Sequence, residues 1–396
     1  MHNAPRMTKR LWVALLFLAL PLFAQDPLRN VSGTTPNPGG VPWVTSGSGG
    51  WTFFHGFNAH LTYVSETGPE EQRNEAFSTN WITLGAQRTI GSRGFFLVRG
   101  RASLEPYTVP DNDGYPQMLQ YISEESGGPL VDRMRPQDLI GEAALHAGFR
   151  LSGSSTLSVY AAFVGDPALG AAPFALRASG SDLGEAPFGY DIQEPFHDAT
   201  KVVTLAFASR FLTLEGSRFH EAVTFGDHTE IDNGDVDSSS ARLTITPSPN
   251  LAIQISRGTL GEDAAERKIS TASLAYGTDN AAATALWTRR EREGEPTETA
   301  YGFEIAFRGG RNTITGRAEW VDRPDGFPDV LTPSATLEQT THFAVGYIFD
   351  FISAERFRAG AGVNIDYHTQ SHELPARYGH KPQAIYAFVR LKSGKI

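Results

Sequence analysis

The chain has 396 residues, no cysteine, 40 glycines and a formal net charge of −10 at pH 7. The absence of cysteine excludes disulfide scaffolds, thiol nucleophiles and thiolate metal sites. The acidic balance disfavours nucleic-acid binding, which needs a basic surface to neutralise phosphates. With 40% hydrophobic and 11% aromatic residues, the composition suits strands that are apolar on one face only.

The N-terminus has the features of a secretory signal. Basic residues precede an apolar run over 11–22, and the small residue Ala24 stands before a plausible cleavage point. This run is shorter than the roughly 20 residues that a membrane-spanning helix needs, so a retained anchor is the weaker alternative. We predict that 1–24 is a signal peptide and that the protein is exported.

Residues 25–50 are rich in Gly, Pro, Ser, Thr and Asn. A segment of this composition does not bury enough apolar surface to order itself. We therefore expect a flexible periplasmic lead-in, and the alternative is a segment that plugs the mouth of the next domain. Residues 51–396 are predicted to form that single domain, because no linker interrupts them.

The second domain reads as a series of strands. The stretch 138–164 shows the pattern best: Leu145, Ala147 and Phe149 form an apolar row, and Glu142 and His146 lie on the opposite row. Side chains of a strand point alternately to opposite faces, so one face is apolar and the other is charged. We predict sixteen strands, at 53–64, 79–90, 94–104, 138–151, 155–164, 200–209, 211–219, 239–247, 250–258, 269–276, 281–289, 299–308, 312–321, 339–350, 355–368 and 383–392.

The connections between these strands alternate between short and long. Short turns such as 91–93 and 152–154 are followed by long polar stretches such as 105–137 and 165–199. Outer-membrane barrels have short periplasmic turns and long extracellular loops, whereas a soluble sandwich or propeller has no reason to alternate. The sequence predicts an all-β, antiparallel, up-and-down transmembrane β-barrel of about 16 strands, with 14 or 18 as alternatives.

This fold class places the protein in the bacterial outer membrane. Its expected partners are outer-membrane lipid and lipopolysaccharide, and a homotrimer follows by analogy with barrels of this size. Many such barrels end on an aromatic residue, but this chain ends on Ile396. Tyr386 and Phe388 are expected to serve the last strand instead.

The charged rows of the strands supply the candidate pore-lining side chains. In a water-filled pore they would shape the field that a solute meets, and in a narrower barrel they would pair across the lumen and close it. The candidates are His60, Arg99, Arg101, Glu142, His146, Arg150, Glu215, Arg242, Glu304, Arg308, Arg317, Glu319, His342, Arg358 and Asp366.

The loop 165–199 combines apolar and proline residues with Arg177, Asp182, Glu185 and Phe188. Its apolar content indicates that it packs on something. We expect it to fold into the lumen as a constriction, and the alternative is an exposed mobile loop.

Two groups of side chains raise the question of metal binding. Acidic residues crowd 227–237 without the EF-hand spacing, so a solvated acidic loop is the favoured interpretation. His368 and His372 could approach His380 across a loop. The sequence has no nucleophile elbow, phosphate-binding glycine loop or zinc-protease helix. We therefore expect no metal, no cofactor and no catalytic activity.

Several segments resemble a family of uncharacterised outer-membrane proteins from proteobacteria and acidobacteria. The similar segments are Gly114-Tyr115-Pro116, Pro129–Arg133 followed by Pro136–Leu139, Gly165–Gly170, and Ser239–Leu243 with Pro247–Asn250. The resemblance covers most of the mature chain and implies a barrel fold without a settled activity. Some relatives have His- and Met-rich N-terminal segments and are associated with copper handling, whereas 49–60 holds two His and no Met.

The function that the sequence favours is a porin-like channel. We expect passive or weakly selective passage of small polar solutes, with selectivity set by the charged rows and by inward loops. The alternatives are a barrel enzyme, a metal-handling outer-membrane protein, and a non-conducting structural barrel filled by its own side chains and loops.

Overall fold

The chain forms a closed antiparallel β-barrel. It is seen in a computed structural model that describes residues 26–39, 42–67, 73–110, 114–124, 128–194, 196, 199–222, 228–261, 266–324, 337–370, 378–379 and 382–394. The strands are β1 (Asn30–Ser32), β2 (Thr35–Pro36), β3 (Val44–Ser48), β4 (Trp51–Thr67), β5 (Asn74–Ile90), β6 (Gly94–Ala102), β7 (Tyr115–Glu124), β8 (Gly128–Met134), β9 (Ile140–Arg150), β10 (Ser155–Val164), β11 (Thr200–Ser209), β12 (Leu212–His220), β13 (Ser238–Ser248), β14 (Leu251–Leu260), β15 (Arg267–Gly277), β16 (Ala281–Arg292), β17 (Glu298–Gly309), β18 (Asn312–Pro324), β19 (Leu337–Ser353), β20 (Phe357–Gln370) and β21 (Gln383–Ser393).

The helices are short. A 3-10 turn covers Pro27–Arg29, α1 covers Glu105–Thr108 and α2 covers Tyr190–Gln193. None of the helices in the described ranges is long and apolar enough to cross a membrane.

Sixteen strands, β4–β6 and β9–β21, make the barrel wall. Each strand pairs antiparallel with the next one around the barrel, and β6 pairs directly with β9. The last strand returns to the first, because β21 pairs with β4 between Thr67 and Asn58. The short β3 continues this seam by pairing with the first residues of β4.

The prediction of sixteen strands is confirmed, and the alternatives of 14 and 18 are excluded. Each predicted strand overlaps one wall strand, and β10 and β11 have the predicted bounds 155–164 and 200–209. The small pairs β1–β2 and β7–β8 were not predicted. Neither pair contributes to the wall, so neither carries the alternation that contact with lipid imposes.

The outer surface of the wall is apolar. Leu61 and Val345 are each 64% exposed, and the outward row of β17 contains Tyr301, Phe303 and Phe307, which are also exposed. The residues between these outward positions are buried inside the barrel. Exposure of large apolar side chains all along the strands fits contact with lipid rather than water.

The last strand corrects one expectation. Tyr386 and Phe388 point into the barrel and are buried, whereas Ile385, Val389 and Leu391 are exposed on the outside. The two aromatic residues therefore do not replace a membrane-facing terminal aromatic. Tyr386 belongs to an apolar cluster inside the barrel that includes Val64 of β4 and Phe77 of β5.

The N-terminal segment, here defined as residues 26–39, lies inside the barrel and corrects the expectation of a flexible lead-in. Val31 and Ser32 are fully buried, and β1 pairs with β2. The segment lacks apolar residues for a core of its own, and it is ordered by polar contacts with the wall. The alternative of a plug at the barrel mouth fits these residues, and the predicted signal peptide lies outside the described residues.

Candidate functional site in the barrel lumen

The N-terminal segment is held on one side by an arginine of β6. Arg99 donates to the backbone oxygens of Asn30 at 2.6 Å and Gly33 at 2.7 Å. The same guanidinium binds Glu142 of β9, with Nε 2.7 Å from Oε2. Glu142 also accepts from the Gly33 amide at 3.2 Å and from the Tyr160 hydroxyl at 2.7 Å. A planar donor with five N–H groups can serve the carboxylate and two carbonyls together.

A second arginine holds the opposite side of this segment. Arg242 of β13 donates to Thr34 Oγ1 at 2.9 Å and to Thr35 Oγ1 at 2.6 Å. Its Nε lies 2.8 Å from Glu215 Oε2 on β12, and its Nη1 reaches the backbone oxygen of Gly170 at 3.2 Å. The N-terminal segment is thus suspended across the lumen between β6–β9 and β12–β13.

The lumen loop, here defined as residues 165–194, crosses the interior of the barrel. The Ala168 amide donates to Ser217 of β12 at 2.8 Å, and Ser179 shares a 2.7 Å hydrogen bond with Thr284 of β16. Thr79 of β5 donates to the Gly184 oxygen at 2.8 Å. The loop therefore touches strands from opposite parts of the wall, and the expectation that it enters the lumen agrees with this structure.

Asp182 is the charged centre of the lumen loop. Its carboxylate lies 2.7 Å from Nζ of Lys392, 2.7 Å from Nη1 of Arg390 and 2.8 Å from Nη2 of Arg308. Burial alone would raise the pKa of Asp182, but the three cations hold it well below its usual range. The carboxylate is therefore ionised at neutral pH and binds the loop to β17 and β21.

Arg177 is the opposite case, a loop cation among wall anions. Its Nη2 lies 2.9 Å from Glu304 Oε1 of β17, and its Nη1 pairs with Glu194 within the loop region. Arg317 of β18 approaches the same Glu304 at 3.2 Å. Burial acts to lower the pKa of Arg177, but the carboxylates of Glu194 and Glu304 outweigh it, and the pKa rises.

A histidine–carboxylate group lies beside the far end of the loop. His342 contacts Glu319 at 2.9 Å through Nδ1 and Asp366 at 3.0 Å through Nε2. The rings of His342 and His368 stack at 4.6 Å. Glu319 also accepts the amides of Phe188 and Gly189 of the loop, at 2.7 and 2.9 Å.

Glu185 extends this group from the loop side. It accepts from Asn364 Nδ2 at 2.7 Å and lies 3.8 Å from Arg317. Burial raises the pKa of Glu185 to about 8, and the charge of Asp366 acts in the same direction. The carboxyl group of Glu185 therefore changes its protonation state between neutral and mildly alkaline pH.

The remaining candidate pore-lining residues lie in different environments. Arg101 binds Ser32 of the N-terminal segment at 2.6 Å and approaches Asp166 at 3.7 Å. His60 and His146 are buried against aromatic rings, His60 5.2 Å from Phe388. Arg358 pairs with Asp350 at 3.2 Å, near the end of the barrel where the short turns lie. Arg150, by contrast, is exposed at the short-turn end of β9 and joins none of these contacts.

Sequence reasoning missed several charged residues of the lumen, among them three on β19 and β21. Arg390 and Lys392 lie on the inward row of β21, and Asp350 of β19 accepts from Arg390 Nη2 at 2.6 Å. The alternation of β21 was sufficient to find the first two, since they share a row with Ala384 and Tyr386. The expectation that Tyr386 serves the membrane side assigned this row to the wrong face.

A crevice remains between the N-terminal segment and the wall. It is open to solvent and lies between the N-terminal segment and strands β12–β14. Its walls include Arg29 and Thr34 on one side and Thr213, Glu215 and Thr244 on the other. Most residues along the crevice are of polar type, and Glu215 among them is the partner of Arg242.

Metal binding has no support in the described ranges. No group of three or more His, Asp or Glu side chains there could hold a metal ion. His372, His380 and Asp227 of the two candidate groups lie outside the described residues. In the acidic loop, Asp232 and Asp237 flank His220 at 3.2 and 2.8 Å. The expected absence of catalysis stays a prediction.

Comparisons with solved structures identify the fold. The chain is similar to OmpF of Salmonella typhi in complex with daunomycin, with a TM-score of 0.52, 10% identity, and coverage of 88% of this chain and 100% of that one. It is similar to an anion-selective porin from Comamonas acidovorans, with a TM-score of 0.52, 11% identity, and coverage of 88% and 100%. A third is OmpT, an outer membrane protein of Vibrio cholerae, with a TM-score of 0.51, 10% identity, and coverage of 88% and 99%.

The chain has the fold of an outer-membrane porin barrel. No family model and no curated protein matches the sequence, so the resemblance to a proteobacterial and acidobacterial family stays a prediction. The apolar outer surface and the sixteen-strand closure place the protein in the bacterial outer membrane.

Proposed function

We propose that this protein is an outer-membrane channel for small polar solutes whose path is narrowed by the N-terminal segment and the lumen loop. The observation that carries the proposal is the polar inner face of the wall. Inward positions hold charged and hydroxyl side chains, including Thr213, Thr244, Thr284, Thr313 and Thr315. A lining of this kind replaces part of the hydration of a polar solute, as the selectivity regions of channels do.

Unsatisfied polar atoms in the lumen support a wet interior. Asn58 Oδ1, His60 Nε2, Thr315 Oγ1 and Arg390 Nε are buried and have no protein hydrogen-bond partner among the described residues. Buried polar groups in native proteins are paired with protein or with ordered water. Water at these positions would connect the spaces on both sides of the lumen loop.

A non-conducting barrel is the second candidate function. The observation in its favour is the extent to which the lumen is filled. The lumen loop and the N-terminal segment together bury most of the inward charges in ion pairs. Asp182 alone binds three cations of the wall. If these contacts persist at all times, the barrel is a structural element of the membrane and carries no solute.

Conductance in a planar bilayer separates the two candidates. The mature chain is compared with a variant that lacks 26–42, which removes the N-terminal segment and leaves the wall strands intact. The channel proposal predicts small open steps for the complete chain and larger steps for the deletion. Folding and insertion of both proteins are verified by the heat-dependent shift in gel mobility. If neither protein then conducts, the channel proposal is overturned and the closed barrel is favoured.

A matched pair of substitutions tests the role of the N-terminal segment without a deletion. Arg99→Ala removes the donor to the Asn30 and Gly33 oxygens, and Arg150→Ala removes an exposed arginine of a neighbouring strand. We expect higher conductance and altered ion selectivity for the first variant and unchanged steps for the second. Equal conductance of both variants would show that the N-terminal segment does not control the conductance of the pore.

The nature of the solute and the assembly state stay predictions. Reversal potentials in a salt gradient report whether the path prefers anions or cations. Chemical crosslinking of the protein in its membrane tests the expected homotrimer. A monomer by this measurement would remove the analogy with trimeric barrels and leave the channel proposal unchanged.

A further inference from the structure

The outer wall carries a group of basic side chains that the channel does not use. The basic rim is defined here as Arg218 of β12, Arg257 of β14, Lys268 of β15 and Arg289 of β16. All four residues occupy outward positions near the ends of their strands where the long loops begin. The side chains of Arg257, Lys268 and Arg289 are 63%, 50% and 47% exposed.

Strand register arranges the basic rim in two rows. In the upper row Arg218 pairs with Ser239, Ser239 with Thr259, and Thr259 with Lys268. In the lower row Arg257 pairs with Ser270, which pairs with Arg289. Adjacent strands are about 4.8 Å apart, so Arg257 and Arg289 are separated by roughly 10 Å. Small hydroxyl residues fill the positions between the cations, so a ligand can lie there and meet further donors.

The basic rim stands at the upper edge of the apolar belt. Ile255 is one outward position from Arg257 toward the membrane centre, and it is exposed. Trp287 is in the same relation to Arg289. A cation is costly at the membrane midplane but costs little near the interface. Long basic side chains at this level reach into the layer of lipid headgroups.

Among the described residues, the rim does not continue onto β17, β18, β19 or β4. On β17 the residue opposite Arg289 is Thr299, and the outward positions at the same level on β18 and β19 are Asp322 and Gln339. The outward positions of β4 near its long loop are Tyr63 and Ser65. A general need for positive charge at the interface would have placed cations around the whole circumference.

The rim has an excess of positive charge. Glu291 lies 2.9 Å from Arg289 and 3.6 Å from Arg257, and Glu266 lies 3.2 Å from Lys268. Among the described residues, the four cations of the rim therefore lie within 4 Å of only two carboxylates. Exposed ion pairs of this kind are weak, so a stronger anion can compete for the guanidinium groups.

We propose that the basic rim binds the phosphate groups of the phosphorylated glycolipid of the outer leaflet. Arg257 and Arg289 lie on either side of β15 with Ser270 between them, and they provide charge-assisted and bidentate contacts for phosphate oxygens. The acyl chains of the same lipid would lie along the outward apolar residues below the rim. This inference concerns the lipid-facing surface and holds whether or not the lumen conducts.

The test measures binding of lipid A to the complete folded protein. The protein is reconstituted in phosphatidylcholine nanodiscs that contain bis-phosphorylated lipid A, and the bound lipid A per protein is measured after affinity isolation. We expect R257Q/R289Q to bind lipid A about tenfold or more weakly, because two charge-assisted contacts are lost. Arg88→Gln, which removes an exposed arginine at the short-turn end of β5, is expected to bind as the unchanged protein does.

Two further arms keep the proposal falsifiable. R257K/R289K retains the charge but loses the planar guanidinium fork, so it should bind lipid A with intermediate affinity. It replaces the glutamine variant in the comparison if that variant does not fold. Lipid A without phosphates should bind no better than phosphatidylcholine. Equal binding of phosphorylated and dephosphorylated lipid A, or of both double variants and the unchanged protein, would overturn the proposal. Full competition by inorganic phosphate at equal concentration would assign the rim to a soluble anion instead and would also overturn it.

Discussion

Lys392 Nζ lies 2.7 Å from Asp182 Oδ1 and thereby ties the closing strand of the barrel to the loop that fills it. Lys392 belongs to β21, which completes the wall by pairing with β4. Closure of the wall and placement of the loop are therefore coupled through one carboxylate. Before β21 pairs with β4, Lys392 is not held beside Asp182. The lumen loop then has fewer contacts with the wall.

Removal of the Asp182 charge should destabilise the protein strongly. Asp182→Asn leaves three buried cations with one partner fewer, and breaking a buried pair in this way costs about 3–5 kcal/mol. Urea unfolding of the protein in lipid vesicles measures the free-energy change. Asp191→Asn, which alters a less buried loop carboxylate 3.5 Å from Arg290, should cost less. Equal losses for both variants would contradict a central role of Asp182.

Glu185 should make the stability depend on pH. Its folded pKa of about 8 exceeds the unfolded value of about 4.3, so between these values the folded state holds a proton that the unfolded state has released. The contribution is fully present below about pH 4.3 and is lost as the pH rises to 8, with a slope of at most about 1.4 kcal/mol per unit.

Glu185→Gln should flatten this dependence, because glutamine keeps the neutral hydrogen-bonding group and does not titrate. Urea midpoints between pH 5 and pH 9 for both proteins give the difference directly. Asp182 makes no contribution in this window, since its pKa lies well below the usual range. An unchanged slope in the variant would show that Glu185 is not the group that titrates.

The turn at Gly33 should control the position of the N-terminal segment. Gly33 has φ +51°, and a Cβ there would meet the Asp166 backbone oxygen at 2.6 Å. Gly33→Val therefore combines backbone strain with a clash against the lumen loop. We expect faster tryptic cleavage after the exposed Arg29 and a larger conductance.

Gly49 offers a matched control for this substitution. It has φ +59°, but nothing lies within 4 Å of an added Cβ. Gly49→Val has the same backbone strain without the clash, so the N-terminal segment should stay in place. If both variants show the same cleavage rate, contact with the lumen loop does not hold the segment.

Substitutions on the outward row of β19 should show how deep each position lies in the membrane. Val345 is 64% exposed in the middle of the strand, and Val345→Arg should lower the free energy of unfolding by about 2–4 kcal/mol. Gln339→Arg changes an outward residue near the long-loop end of the same strand and should cost less than about 1 kcal/mol. Equal costs in vesicle-based urea unfolding would contradict this depth assignment.

The wall could be predicted closely because its signals are local. In β10 the residues Leu157, Val159 and Phe163 face outward and Tyr160 and Val164 face inward, so the alternation of about ten residues defines the strand. The bounds of this strand were predicted without error. The inward charges of the candidate site followed from the same alternation, apart from β21.

The contents of the lumen could not be predicted in the same way. Asp182 binds Arg308 and Lys392, which are 126 and 210 residues away along the chain, and no short-range pattern links them. The N-terminal segment shows the same difficulty, because its polar composition indicates disorder in isolation. Only the neighbouring Arg99 and Arg242 supply the partners that order its backbone.

By itself, the sequence determined the wall and its location and predicted about 16 strands, because lipid imposes apolar residues on every second position and turn lengths alternate between the two ends. These constraints act on each hairpin separately and are visible in any short stretch. Only the tertiary structure decided which segments fill the lumen and which charges pair there. That outcome depends on closure of the barrel, which brings Asp182, Arg390 and Lys392 together in a buried space where unpaired charges are too costly to remain.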